Sequence, residues 1–80
     1  MQPLTPAENY LMKDQLGHNG NFYKSLMFAI RVADTENRAK LALAFPDLVE
    51  VIRRFQNEDG YFQDLCVRWN HFNPNHKIAV

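Results

Sequence analysis

Residues 22–55 read FYKSLMFAIRVADTENRAKLALAFPDLVEVIRRF, with apolar positions recurring at three- and four-residue steps and a proline at position 46. That spacing predicts consecutive packed helices, and Pro46 falls where one must stop and another can begin. The stretch therefore places the chain in the all-α class, as a compact bundle of four or five short helices.

Within the stretch, Asn21 can cap a helix whose stripe is Phe22, Leu26, Ala29, Ile30 and Ala33. Tyr23, Met27, Phe28 and Val32 widen the stripe to most of the circumference, an arrangement expected of a helix in the middle of a bundle. Lys24 and Arg31 mark its narrow wet face. Asp34-Thr35-Glu36 combines a capping residue with a first-turn acid, so a break at Asp34 and a third helix over 35–44 follow. Phe45 precedes Pro46 and is pushed out of the α region, which makes it the cap of a fourth helix with Leu48, Val51, Ile52 and Phe55 on one face.

Working outward, Thr5-Pro6-Ala7-Glu8 has the form of a capping box with proline in the first turn, which predicts a first helix over 6–16. Its apolar face is Ala7, Tyr10, Leu11 and Leu16, and Gly17 can close it in the left-handed conformation. Asn57-Glu58-Asp59-Gly60 admits two readings. The glycine favours a stop, whereas Ile52, Phe55, Phe62, Cys66 and Trp69 keep an apolar phase across it. We favour a break and a fifth helix over 60–70, because Glu58 and Asp59 oppose the dipole at a helix C-terminus and support a new N-terminus. Asn73-Pro74-Asn75 ends regular helix, and residues 1–5 and 73–80 read as flexible ends of a single domain spanning 1–80. The core candidates are Phe22, Leu26, Ile30, Leu41, Phe45, Leu48, Ile52, Phe55, Phe62, Leu65 and Trp69.

Composition bounds the function. An 80-residue chain buries only about 60–65% of its unfolded surface, so it can spare few apolar groups. Lysine plus arginine equals aspartate plus glutamate at nine each, which removes any bulk attraction to nucleic acid or anionic lipid. No apolar run approaches the ~18 residues of a membrane span, and the start lacks a signal-peptide pattern. The single cysteine, Cys66, sits among Leu65, Val67 and Trp69 and reads as a buried, inert thiol; a reducing cytoplasm is the expected setting.

Chemistry is sparse. His18, His71, His76 and Cys66 do not fall into zinc-site spacings, Cys66 and His71 are awkwardly placed for a nucleophile pair, and the carboxylates are scattered. We expect no catalytic site, metal or cofactor. Arg53, Arg54 and Arg68 with Tyr61 or Trp69 would make a weak nucleic-acid patch, and a recognition helix starting Pro46-Asp47-Leu48-Val49-Glu50 would turn acids toward phosphates. The more suggestive feature is the aromatic and basic surplus late in the chain. Tyr61, Arg68, Phe72 and Arg54 are the interface candidates, because arginine and aromatics are favoured at protein interfaces. The expectation is a non-enzymatic protein-interaction or adaptor module, open to homodimerisation, whose partner the sequence does not name. The alternatives are a small nucleic-acid-binding or regulatory protein, and an inhibitor or accessory subunit of a larger enzyme.

Overall fold

A computed structural model describes residues 1–78, and among them are five α-helices and no strand. They are α1 (Pro6–Gln15), α2 (Asn21–Val32), α3 (Thr35–Ala44), α4 (Pro46–Asn57) and α5 (Tyr61–Phe72). Each boundary has a local cause. Thr5 Oγ1 accepts from the Glu8 N–H while Glu8 Oε1 accepts from the Thr5 N–H, so the capping box is complete. Leu16 caps the other end of α1, followed by Gly17 at φ +72°, where a side chain would be strained. Asp34 Oδ1 accepts from the Asn37 N–H at 2.8 Å and starts α3. Pro46 opens α4 immediately after Phe45.

The break before α5 is present. Gly60 adopts φ +83°, which lets the chain reverse between Asn57 and Tyr61. Two cap expectations move. Gly20, with no side-chain bond, precedes α2, and Asn21 is its first helical residue; α5 continues to Phe72, where Asn73 donates both its backbone N–H and Nδ2 to the Trp69 carbonyl.

The core is formed by Ala7, Leu11 and Met12 of α1, Leu26, Met27 and Ile30 of α2, Leu48, Val49, Val51 and Ile52 of α4, and Tyr61, Leu65, Cys66 and Trp69 of α5. Six of the core candidates are therefore core residues: Leu26, Ile30, Leu48, Ile52, Leu65 and Trp69. Leu41, Phe45, Phe55 and Phe62 are only half-buried and pack on the edge of the cluster. Phe22 is a correction, being 64% exposed. Leu11, Met12 and Met27 are all fully buried.

The centre of the bundle is α4, which touches each of the other four helices, and not α2. Periodicity gave α2 an apolar arc wider than one neighbour can cover; Leu26, Met27 and Ile30 are buried and Tyr23 packs at the core's edge, while Phe28, Ala29 and Val32 face outward. The reason is topological. Helix α3 leaves α2 without an extended packing surface between them and lies against α4, burying none of its own residues fully.

Side chains tie the corner where α2, α3 and α4 meet. Arg38 Nη2 donates to the Ile30 carbonyl at 2.8 Å and to Gln56 Oε1 at 2.9 Å, and Gln56 Nε2 donates to the Arg31 carbonyl. The carbonyls left open at the end of α2 are thus satisfied from two other helices. At the opposite end of α2, Asn19 Nδ2 donates to the Tyr10 carbonyl, and the Tyr10 and Tyr23 rings stack at 3.9 Å.

The stretch read as a flexible end folds back as far as it is described. Trp69 Nε1 donates to the His76 carbonyl, and Ile78 packs on the core cluster. At the other end, Leu4 also packs on the core and Thr5 is held in the capping box. Residues 79 and 80 lie outside the described residues.

Candidate functional site

Two features stand out once the core is closed, one polar and buried, the other apolar and open. The polar feature begins at Glu8. Its Oε1 belongs to the capping box, while its Oε2 accepts from the Tyr61 hydroxyl at 2.7 Å and from Arg68 Nη2 at 2.9 Å. Arg68 also donates to Asp64 at 3.0 Å, and the Arg54 guanidinium lies 3.9 Å above the Tyr61 ring. Burial pushes the Glu8 carboxyl toward its neutral form, but the Thr5 N–H, the Tyr61 hydroxyl and the Arg68 guanidinium outweigh it and hold the pKa below the usual value. Burial and the Glu8 carboxylate together drive the Tyr61 phenol far upward, so it remains a donor.

This knot overturns part of the interface expectation. Tyr61 is 3% exposed and belongs to the core. Arg68 is mostly covered and divided between two carboxylates, and Arg54 is paired with Glu58 by two bonds of 2.7 and 2.9 Å. Phe72 keeps 45% of its surface and packs edge-on against His71. Arg54 and Arg68 line one depression with Glu8, but the Glu8 carboxylate, 60 residues from Arg68, draws Tyr61 and Arg68 inward and leaves little of either to offer a partner. Only the capping-box role of Glu8 was legible in sequence. Its second role depends on α5 crossing α1, which no local pattern encodes.

The remaining arginine of the charged set is also engaged, since Arg53 forms a two-bond pair with Glu50 at 2.6 and 2.9 Å. Among the described residues no group of three or more histidine, cysteine, aspartate or glutamate side chains is placed to hold a metal. No helix among them is long and apolar enough to cross a membrane. Cys66 is buried, and that burial raises its pKa.

The open feature is the outward side of α2 and the cleft it makes with α3. Phe22, Phe28 and Val32 are 64%, 62% and 65% exposed. Val32 lines a groove of about 580 Å³ with Ala29, Ala33, Asp34, Asn37, Lys40 and Leu41. At the other end of α2, Phe22 meets Phe45 with the rings 6.3 Å apart. Phe28 lies on the neighbouring edge of α2, beside Lys24 and Arg31. Val32 thus borders the α3 side of α2 and Phe28 its α1 side, where Asp14 lines the same depression, so the exposed apolar groups occupy two edges of one helix. Leu43, on the far side of α3 and 88% exposed, stands apart from both edges.

The fold defines a small all-α bundle in which α2 leaves large apolar side chains uncovered. Comparison with family models, curated proteins and solved structures finds no match for the chain.

Proposed function

We propose that this chain is a non-enzymatic protein-interaction module that self-associates through the outward side of α2. The observation that carries the reading is the exposure of Phe22, Phe28 and Val32 along one helix, in a domain whose size leaves few large side chains to spare. The occupant of that face is a second copy. Its net charge of zero at pH 7 leaves no bulk repulsion between copies. Antiparallel pairing of two α2 helices about Phe28 sets Lys24 of one copy level with Val32 of the other, next to the acidic Asp34–Glu36 start of α3. A standard interface takes about 800 Å² from each partner. Against a total surface of 5321 Å², that is roughly 15% of the chain's surface.

The nucleic-acid alternative has less support, because Arg53, Arg54 and Arg68 are each neutralised by carboxylates of the same chain. An inhibitor or accessory role would need a target for which the fold offers no specific feature. A reducing, cytoplasmic setting is consistent with the buried thiol of Cys66.

The test is solution mass by light scattering across a concentration series for the native chain, Val32→Asp and Phe28→Asp. The native chain should rise from 9.4 kDa toward twice that value, and both variants should stay at the monomer mass. A native chain that is monomeric at millimolar concentration overturns self-association, and dimers that survive both substitutions overturn the α2 face.

A further inference from the structure

The segment after α5 is held by side chains that read its backbone. Trp69 Nε1 donates to the His76 carbonyl at 2.8 Å. Asn70 Oδ1 accepts from the Ile78 N–H at 2.7 Å, and Asn70 Nδ2 donates to the Ile78 carbonyl at 2.8 Å. A residue turns its own N–H and C=O to the same side when it is extended, and one carboxamide can then satisfy both as a neighbouring strand would. In extended chain the next carbonyl on that edge belongs to the residue two positions away, which is the step from Ile78 to His76. The last turns of α5 therefore offer a three-point template for one edge of the short segment that leaves the bend at His76. From that segment the Ile78 side chain packs on the core cluster.

We propose that this end of α5 is a docking site for an extended peptide segment with one aliphatic anchor, and that residues 76–78 occupy it in cis. The contacts that hold the segment use main-chain atoms and one aliphatic side chain, so the site selects strand geometry and an aliphatic residue and is indifferent to most of the sequence. This is strand addition carried out by a helix, with main-chain bonds giving affinity and one apolar contact giving selectivity. The Asn73-Pro74-Asn75 turn, closed by the His76 N–H donating to the Asn73 carbonyl, keeps the cis segment at high local concentration. An external segment must displace it, so occupancy by the chain's own residues makes the site inhibited at rest. The site is separate from the outward side of α2, and either can fail without the other.

The probe is a fluorescein-labelled, amidated peptide copying residues 73–78, titrated into the full chain and followed by anisotropy. Ile78→Asp removes the cis anchor and should bind the peptide about tenfold or more tightly than the native chain does. Emission from Trp69 should shift to the red when the seat is vacated and return as peptide binds. Adding Asn70→Ala to Ile78→Asp should abolish binding, as should a peptide carrying aspartate at the isoleucine position. Helical circular dichroism checks the fold of each variant, and Ile78→Ser replaces Ile78→Asp if the latter loses helix. Failure of the peptide to bind a folded Ile78 variant overturns the proposal. So does equal binding to native and variant chains, or binding indifferent to Asn70.

Discussion

The Tyr61 hydroxyl donates to Glu8 Oε2 at 2.7 Å, joining the first turn of α5 to the first turn of α1 across 53 positions of sequence. The same carboxylate closes the capping box of α1 through its other oxygen. A local cap and a long-range tie are thus made by the two oxygens of one side chain.

Tyr61→Phe keeps the ring beneath Arg54 and deletes only this bond. Stability measured by urea denaturation should fall by about 1–2 kcal/mol, with no change in helical signal. Glu8→Gln should cost more, about 2 kcal/mol or above, because Arg68 loses its inner charged partner and keeps only Asp64. An indistinguishable midpoint for both variants would show that the tie contributes nothing.

The direction of the Glu8 shift fixes an acid limb. A carboxyl whose pKa is lower in the folded state contributes stability above its unfolded value of about 4.3, and that contribution is lost as pH falls through the folded value. Denaturation midpoints should therefore be level near neutral pH and fall below about pH 4. In Glu8→Gln the fall should be shallower but not absent. Glu50 and Glu58, lowered by their bonds to Arg53 and Arg54, keep their own share.

Trp69 and Phe22 separate core from surface. Trp69 is 4% exposed, so Trp69→Ala should cost about 3–5 kcal/mol. Phe22→Ala should stay within about 0.5 kcal/mol in dilute monomer, since the ring already lies in water. A large loss at Phe22 in a dilute sample would contradict the exposed position of that helix face.

Gly60 isolates a backbone effect. A Cβ there would meet no atom within 4 Å, so Gly60→Ala introduces no clash. At φ +83° it should nonetheless cost about 1–2 kcal/mol, and Gly60→Asn less, because asparagine tolerates the left-handed region. Equal stability of all three forms would remove the conformational explanation for the α4–α5 break.

Cys66 should react with a thiol reagent only on opening of the fold. Its modification should be slow in buffer and accelerate with urea in parallel with unfolding, since a buried thiol held in its neutral form is a poor nucleophile. Fast labelling of the native chain would place the thiol in an open site.

What the amino-acid order determined by itself was local: the all-α class, the Thr5–Glu8 cap, the start of α3 at Asp34, the turn into α4 at Pro46 and the break at Gly60. Each rests on backbone preferences and on hydrogen bonds between residues a few positions apart, so each can be read from a short window. Apolar spacing also found Leu26, Ile30, Leu48, Ile52, Leu65 and Trp69, because helical period assigns a face. It did not decide which part of a wide face would be covered. Met12 and Met27 are fully buried, while Phe22 and Val32 stand outside because the path of α3 along α4 leaves one side of α2 bare. Tyr61 and Arg68, read as surface aromatic and cation, turn inward because Glu8 awaits them on a helix 53 and 60 positions away. Such pairings depend on how rigid helices stack, and only the tertiary structure supplies that arrangement.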